Sequence, residues 1–541
     1  MDLSPHSLYM TVILMVIPIA LSSFIYLWNP LGFPSGTSYD EGIYLRRAMH
    51  VLNGLGPQEN QKFYDHPYFG QLFLATFFWS IGYPDLLDPS SVDANSIEGL
   101  YLFPRLLMGT LAIFDTFLLY LISERRYNRR VAFAASLLFA GMPLPLLLLR
   151  RVWLEPIQLP FIMSSILFAL WLQGSSNNPR ILGTILGNRS KDHGNSTAVS
   201  YLHLCKRRRK RNAFSFASIS GALLGISVFT KVPAFTFIPL VAFLIYDSLG
   251  RNGRTSALFV WLVSLLGIAM IWPVYSFSIG EGSAWINGIL WQTNREGRGL
   301  FYSLQYDLAI DPVLLVLSGF GLVYAIIRKD LFIVLWIIPF FVFLYLIGFV
   351  SFWHLIPTLP AFCIAIARVI DGVASRILTE AFLKGVTPLI VVIALVTVEI
   401  AYTAPSIIGS SNQSFFSSLM FLTDYLKKEN DGIQETSPHE KTETVIGDPS
   451  YLWVPQYVFN LDNFDYKTYF DDPPSLSKRA LIIADQNLVR ALSMNDETSR
   501  VLYQMYSSNH TKKIVTLGDN NSKGSQVSIL SYNPPSKFSA T

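Results

Sequence analysis

Long apolar segments alternate with short polar connections over most of the chain. A transmembrane helix needs about 20 consecutive apolar residues, and segments near that length recur up to residue 405. We predict membrane spans at 8–28, 100–122, 131–149, 152–172, 213–230, 232–246, 256–279, 312–327, 331–350, 352–370 and 385–404. The pattern therefore predicts an all-α polytopic membrane domain, with about eleven spans and additional interfacial helices.

Basic residues mark one side of this predicted bundle. They cluster in alternate connections, at 125–130, 206–211, 251–254, 328–329 and 368–384. Lys and Arg collect in cytoplasmic loops, so we assign these connections and the N-terminus to the cytoplasmic side. The apolar segment 67–82 would reverse the assignment if it crossed the membrane, and we expect it to lie along the outer interface. The first span lacks the flanking features of a signal peptide, so we expect it to be retained.

The pattern changes after Pro405. Residues 406–541 are polar, with an amphipathic helix predicted at 415–428 and short strands at 444–446, 480–484, 513–517 and 527–530. We therefore divide the chain into a membrane domain, 1–405, whose first outer loop is 29–99, and a small extracytoplasmic α/β domain, 406–541. Glycosylation sequons beginning at Asn412 and Asn509 lie in the second domain.

Composition excludes a soluble protein. Of the 541 residues, 51% are hydrophobic and 14% are charged, whereas soluble domains carry about 25% charged residues. Cys205 and Cys363 lie far apart and indicate no disulfide framework. The basic run at 206–211 lies beside a span, so it favours a topology signal or contact with anionic membrane lipids over nucleic-acid binding.

Ionisable side chains gather in the first outer loop. Asp40 and Glu41 follow a run of turn residues and begin a predicted helix at 41–52, and Asp65-His66 precede the interfacial segment. A carboxylate at a helix start is stabilised by the helix dipole, which is one explanation for Asp40. A carboxylate near apolar surroundings also tends to have a raised pKa, as a general base requires. Spacing alone leaves both interpretations of these residues open.

Other charged residues also lie at the outer rim. Arg46-Arg47, Arg150-Arg151 and Arg295…Arg298 are exceptions to the basic pattern, so they are candidates for binding an anion. Snorkelling at the interface is the alternative explanation for these arginines. Three other residues near the rim, Glu155, Lys231 and His354, have structural explanations as well. Glu155 would form a salt bridge with Arg151 one helical turn away, Lys231 would snorkel at a hairpin tip, and His354 would anchor a helix at the interface.

Several motifs together resemble a known superfamily. They are Asp40-Glu41, His66-Pro67, Arg105-Leu106, Arg151…Glu155, Thr230-Lys231-Val232-Pro233 and His354-Leu355-Ile356-Pro357…Pro360. Their order and outer placement are similar to those of GT-C glycosyltransferases that use polyprenyl-phosphate sugars. The most similar groups are the protein O-mannosyltransferases and the lipid A aminoarabinose transferases. The sequence has Leu107 and Tyr68 where the family motifs have proline, and Glu155 where they have aspartate.

The resemblance implies inverting transfer of a sugar, from a dolichyl or polyprenyl monophosphate to a hydroxyl of a protein, lipid or glycan, at the extracytoplasmic face. It implies Asp40 as the base and Glu41 as its support. Asp65 and His66 would face the donor phosphate or a divalent metal cation that bridges it. Lys231, Arg295 and Arg298 would neutralise the leaving phosphate, with Arg151 and Glu155 supporting the site. The enzyme would be mannosyltransferase-like and would lie in the plasma membrane or the endoplasmic reticulum.

Two other functions compete with this one. A transporter or flippase of a lipid-linked or anionic solute would place ionisable residues near the middle of the membrane, where the predicted spans carry mainly Asp115 and Glu399. En bloc oligosaccharide transfer would bring the Trp-Trp-Asp-Tyr-Gly motif of oligosaccharyltransferases, which the sequence lacks. The charges at the outer rim favour the single-sugar transferase.

Overall fold

The computed structural model describes most of the chain. The residues outside its description are 1–4, 35, 58–63, 88–93, 177–194, 250, 296, 298, 410–411, 433–441, 470–472, 495, 519–525 and 536–541. The predicted phosphate ligand Arg298 is among them.

The part of the chain before residue 410 is helical. In chain order the first helices are α1 Pro5–Leu27, α2 Tyr39–Leu52, α3 Phe69–Ser80, α4 Ala94–Arg126, α5 Arg129–Gly141, α6 Pro143–Leu148, α7 Leu154–Ser176, α8 Asn195–Thr230 and α9 Ile238–Ser248. They are followed by α10 Arg251–Ala269, α11 Ile271–Ser278, α12 Gly282–Asn294, α13 Leu300–Ile310, α14 Pro312–Ile327, α15 Leu331–Leu346, α16 Leu359–Ile377 and α17 Ala381–Gly409. Short 3₁₀ segments at Val232–Phe237 and Phe352–Thr358 precede α9 and α16.

Fewer helices than predicted have the length of a membrane span. Among the described residues, 6 helices are long and apolar enough to cross a membrane, or 7 if the pair α10–α11, bent by 41°, is one span. The helices at 238–248, 312–327 and 331–346 are apolar but shorter. The predicted span 131–149 is divided between α5 and α6, because Pro143 and Pro145 interrupt it. The chain is a multi-pass helical membrane protein, and the predicted number of eleven spans is not confirmed.

The segment 67–82 forms a helix too short to cross a bilayer. Helix α3 has 12 residues, which corresponds to about 18 Å at a rise of 1.5 Å per residue. The hydrocarbon core is about 30 Å thick. The length of α3 therefore agrees with the predicted interfacial placement.

Two glycines permit close packing between α8 and α10. A Cβ atom at Gly221 or Gly225 of α8 would lie 2.2 Å from the carbonyl oxygen of Trp261 or 2.6 Å from that of Leu265, both in α10. Small residues let helix backbones approach in membranes, where packing replaces the hydrophobic effect. The packing of α8 on α10 thus fixes the position at which α8 ends, beside the outer-rim residues.

The C-terminal region is a small α/β unit. Its elements are α18 Gln413–Asn430, β1 Thr444–Gly447, α19 Pro449–Trp453, β2 Asp465–Thr468, β3 Ala480–Ala484, α20 Gln486–Leu492, α21 Glu497–Ser507, β4 Thr511–Leu517 and β5 Val527–Tyr532. The strand order is β2-β1-β3-β5-β4, in which β1 is parallel to β2 and β3, and β5 is antiparallel to β3 and β4. The four predicted strands and the amphipathic helix are present, β2 was not predicted, and the predicted boundary at 405 falls inside α17.

The C-terminal region packs directly on α2. A Cβ atom at Gly42 would lie 2.2 Å from the backbone nitrogen of Ser450 in α19, so only glycine allows this approach. The Tyr101 hydroxyl donates to the carbonyl oxygen of Ser450 and accepts a hydrogen bond of 2.8 Å from Trp453 Nε1. These contacts place the start of α2 under the C-terminal region.

Candidate active site

Helix α2 presents two adjacent carboxylates to different surroundings. Asp40 and Glu41 lie in its first turn, where the dipole stabilises negative charge. Successive residues of a helix point about 100° apart. Glu41 is fully buried, whereas Asp40 remains partly exposed. The two side chains therefore have different roles despite their adjacency.

Glu41 is bound by Arg105 of α4. The Arg105 guanidinium donates from Nε and Nη2 to the two Glu41 oxygens, at 2.8 and 2.9 Å, and Arg151 lies 3.9 Å away. Burial by itself would raise the pKa of Glu41, but Arg105 and then Arg151 hold it below its usual value. Both Glu41 oxygens are thus occupied by Arg105, and the support of Asp40 by Glu41 stays a prediction.

In the described structure, Asp40 is the site carboxylate without an ion-pair partner. Among the described residues, no cation lies within 4.0 Å of it. Burial raises the pKa of Asp40 from 3.8 to about 6, against the charges of Lys231 and Arg295 and with those of Glu155 and Asp65. A carboxylate with this pKa is ionised near neutral pH and binds a proton more readily than an ordinary aspartate, as a general base requires.

Asp65 is held by Arg47 of α2. Asp65 Oδ1 lies 2.9 Å from Arg47 Nη1 and accepts a hydrogen bond of 2.9 Å from the backbone nitrogen of His66. Burial opposes ionisation, but Arg47 and then His66 bring the pKa of Asp65 below its usual value. Arg47 was a candidate for binding an anion, and its partner is instead this carboxylate. The outer-rim position of Arg47 is therefore explained by an internal ion pair.

Among the described residues, the Asp65-His66 pair does not form a complete metal site by itself. In the part of the chain that the structure describes, no three His, Cys, Asp or Glu side chains lie close enough to hold one. Asp65 Oδ1 is already occupied by Arg47 and the His66 backbone. A divalent cation bound here would take its other ligands from water and from the donor phosphate, so the metal site at Asp65 and His66 stays a prediction.

The His66 imidazole is neutral. Burial, with smaller contributions from the charges of Lys231, Arg47 and Arg295, lowers the pKa of His66 to about 3 against the effect of Asp65. Its ring lies 6.5 Å from that of Tyr44, between ring centres. A neutral imidazole has one donor and one acceptor nitrogen, so His66 can donate a single hydrogen bond to a phosphate oxygen but adds no charge.

Lys231 forms an ion pair with Glu155 instead of extending to solvent, as snorkelling would require. The Lys231 Nζ donates to Glu155 Oε1, and both side chains are almost completely buried. Helix α8 ends at Thr230, and Pro233 follows in the 3₁₀ turn. Gln158, one turn after Glu155 in α7, donates to the carbonyl oxygens of Lys231 at 2.5 Å and Ser227 at 2.9 Å. The predicted Arg151–Glu155 salt bridge is therefore wrong, because Glu155 turns toward Lys231.

Arg295 is a cation without a carboxylate partner in the described part of the chain. It follows α12, with its guanidinium carbon 3.8 Å from the centre of the Phe349 ring and 4.9 Å from that of Trp291. No described carboxylate lies within 4.0 Å of it. Burial lowers the pKa of Arg295, while Asp40 and Asp65 raise it. Arg295 and Asp40 thus carry opposite charges that have no ion-pair partner among the residues that the structure describes.

Sequence interpretation missed Tyr44 and Gln158, and it assigned Arg47 a different partner. Tyr44 and Arg47 share one face of α2 with Asp40, at i+4 and i+7, and this spacing was the available signal. Tyr44 is close enough that the charge of Asp40 contributes to raising its pKa, after burial. Gln158 carried no such signal, because its partners are about 70 residues away at the end of α8.

His354 accepts a hydrogen bond of 2.8 Å at its Nδ1 from the backbone nitrogen of Ser351.

Comparisons with known proteins show which solved structures have a similar fold. Neither a protein-family model nor a curated protein matches the sequence. The structure is similar to the apo form of the oligosaccharyltransferase of Archaeoglobus fulgidus, at 12% identity and a TM-score of 0.54, covering 95% of this chain and 75% of that one. The AglB oligosaccharyltransferase of the same organism, in complex with an inhibitory peptide and a dolichol-phosphate, gives 11% identity, a TM-score of 0.53 and coverages of 99% and 75%.

A bacterial structure matches over nearly its whole length. ArnT from Cupriavidus metallidurans bound to undecaprenyl phosphate is similar at 12% identity and a TM-score of 0.51, covering 98% of this chain and 99% of that one. The chain therefore has the GT-C fold, as the sequence resemblance implied. At these identities the likeness concerns the fold, and it does not separate single-sugar from en bloc transfer.

Proposed function

We propose that this chain is an inverting glycosyltransferase that moves a sugar from a polyprenyl or dolichyl monophosphate to an acceptor hydroxyl. The observation that carries the proposal is the pairing pattern of the site. Glu41, Asp65 and Glu155 each have a basic partner, whereas Asp40 and Arg295 have none among the described residues. A free base beside a free cation suits a reaction that releases a proton and an anion.

Asp40 acts as the general base. Its carboxylate takes the proton of the acceptor hydroxyl as that oxygen attacks the anomeric carbon of the donor. The bond from the anomeric carbon to the phosphate oxygen breaks at the same time, and its electron pair leaves with the polyprenyl phosphate. A single displacement of this kind inverts the anomeric centre, because the acceptor enters opposite the leaving group.

Arg295 stabilises the leaving phosphate. Its guanidinium is fixed against Phe349 and Trp291, so the charge is already in place when negative charge develops on the leaving group. Lys231 adds long-range positive charge from its ion pair with Glu155, and neutral His66 adds one hydrogen bond. Arg298, three residues after Arg295, is proposed on sequence grounds as a further phosphate ligand.

The neighbours support this donor class. The AglB and ArnT structures contain a dolichol-phosphate and undecaprenyl phosphate, respectively, and both share the fold of this chain. By the distribution of basic clusters, we place the site at the extracytoplasmic face of the plasma membrane or the endoplasmic reticulum. Mannose is the sugar that the sequence resemblance favours, and the acceptor is a protein, lipid or glycan hydroxyl.

A panel of donors tests the proposal. The full chain in vesicles is incubated with a mixture of hydroxyl-bearing peptides, lipids and glycans as acceptors and with radiolabelled dolichyl- and undecaprenyl-phosphate monosaccharides, and the sugar remaining on the donor lipid is measured. We expect wild type to consume at least one donor, and Asp40→Asn to bind the same donor without turnover. Asp424→Asn is the matched control, because Asp424 is exposed and pairs with Lys428 one turn away.

Each other outcome has a definite meaning. Full turnover by Asp40→Asn would refute the base assignment. If wild type consumes no donor in the panel, the donor class is wrong. Movement of intact donor between leaflets without loss of sugar would favour the transporter instead.

A further inference from the structure

Asn412 lies at the junction between the two parts of the chain. It is the N-cap residue of α18 and is almost completely buried. An asparagine at this position usually accepts a hydrogen bond from a backbone N–H in the first turn of its own helix. The Asn412 side chain makes no such bond. Its amide is therefore committed elsewhere.

The Asn412 amide binds the segment that leads to Asp40. Its Oδ1 accepts from the backbone nitrogen of Gly36 at 2.5 Å, and its Nδ2 donates to the carbonyl oxygen of Leu31 at 2.6 Å. These two partners lie more than 370 residues earlier in the chain. Gly36 has a positive φ of 76°, a conformation that glycine adopts without strain.

Leu31 and Gly36 also contact the basic residues around Glu41. Arg105 donates to the carbonyl oxygen of Leu31 at 3.2 Å and to that of Gly36 at 3.4 Å. Arg151 donates to the carbonyl oxygen of Gly36 at 3.3 Å. The 31–36 segment is thus held from one side by Asn412 and from the other by the guanidinium that binds Glu41.

We propose that Asn412 is a positioning residue for the general base, and that it clamps residues 31–36 so that Asp40 keeps its place and its partial burial. The inference rests on the proposed function for its catalytic part. It also assigns the sequon at Asn412-Gln413-Ser414 a structural use. The buried amide nitrogen that a glycan would need is already bonded to Leu31, whereas Asn509 of the second sequon is exposed.

Three variants separate positioning from glycosylation. Asn412→Ala removes both hydrogen bonds, Asn412→Asp keeps an acceptor for Gly36, and Ser414→Ala destroys the sequon while leaving the amide intact. We expect hydrogen exchange at 29–42, followed by mass spectrometry of the full chain, to be fastest in Asn412→Ala, intermediate in Asn412→Asp and unchanged in Ser414→Ala. A glycan role predicts the same effect in all three variants.

Turnover gives the catalytic readout. A misplacement of about 1 Å can cost roughly 100-fold in rate, so kcat of Asn412→Ala should fall by 10- to 100-fold on that scale, with dolichyl phosphate binding unchanged. The acid limb of its pH–rate profile should move below pH 6, because a loosened loop admits water and lowers the pKa of Asp40 from about 6. Asn412→Asp should recover part of the rate.

The failures of the two proposals are distinguishable. Wild-type exchange at 29–42 in Asn412→Ala would overturn the clamp, and so would a loss of turnover in Ser414→Ala as large as that in Asn412→Ala. An unshifted pH profile in a slower Asn412→Ala would overturn the positioning of Asp40. If wild type consumes no donor, the proposed function fails while the exchange data still decide whether the clamp exists.

Discussion

Arg105 and Glu41 form a bidentate ion pair, with nitrogen–oxygen distances of 2.8 and 2.9 Å and both side chains almost completely buried. The pair joins α4 to α2 across 64 residues of sequence. It fixes the direction of Glu41 and leaves Asp40, one residue earlier, facing the site. The bond thus separates a carboxylate with an ion-pair partner, Glu41, from the proposed general base, Asp40.

Removal of one partner should destabilise the protein. In Arg105→Leu the buried Glu41 carboxylate loses its hydrogen bonds, and breaking a buried pair in this way costs about 3–5 kcal/mol. We expect a clearly lower Tm for the purified variant. The double variant with Glu41→Leu should recover much of the loss, because no unpaired charge remains. A double variant no more stable than Arg105→Leu would contradict the pairing.

The pH dependence of activity should follow Asp40. Its pKa of about 6 means that the base is ionised above pH 6 and protonated below it. We therefore expect kcat/KM to fall with an apparent pKa near 6 as the pH is lowered. A profile that stays flat down to pH 4.5 would exclude Asp40 as the base.

Asp40 should also reduce the stability of the fold. Its pKa is raised on folding from 3.8, so the folded state binds the proton more tightly than the unfolded state, and ionisation disfavours folding. The cost is complete above pH 6 and disappears below about pH 4, where both states are protonated. Asp40→Asn should thus raise Tm at pH 7.5 and have little effect at pH 4. An equal Tm gain at both pH values would point to a different cause.

Arg295 and Lys231 should respond differently to substitution. Arg295 has no described carboxylate partner, so Arg295→Gln should weaken binding of dolichyl phosphate with little change in Tm. A hydrogen bond to a charged group is worth about 1.5–3 kcal/mol, or roughly 10- to 150-fold in Kd. Lys231→Met leaves the buried Glu155 carboxylate without this ion-pair partner and should mainly lower Tm. If Arg295→Gln and Lys231→Met changed Kd to the same extent and lowered Tm to the same extent, the separate roles of Arg295 and Lys231 would be contradicted.

Local patterns were sufficient to predict much of this molecule. The alternation of segments predicted the helical bundle, and the motif order predicted the GT-C fold. Helix α2, α3 and four strands follow from their own residues. Strand β2 was missed because Asp465-Tyr466-Lys467-Thr468 is polar and lies at a sheet edge, where it needs little apolar surface.

The partners of the site residues could not be read from the sequence. Glu155 has Arg151 one turn away, yet its partner is Lys231, 76 residues later. The choice depends on the place where α8 ends against α7, which local spacing does not define. The different burial of Asp40 and Glu41 likewise depends on Arg105 and on the C-terminal region.

Gly42 should connect the C-terminal region to catalysis. A Cβ atom there would lie 2.2 Å from the backbone of Ser450, so Gly42→Ala must separate α19 from α2. Overpacking of this kind typically costs about 1–3 kcal/mol, and the shift of α2 should lower kcat because Asp40 lies two residues earlier. Gly319→Ala is the control, since Gly319 lies inside α14 with open space around a new Cβ, and it should be neutral or slightly stabilising. If both variants retain wild-type Tm and kcat, the contact between α2 and α19 does not support the site.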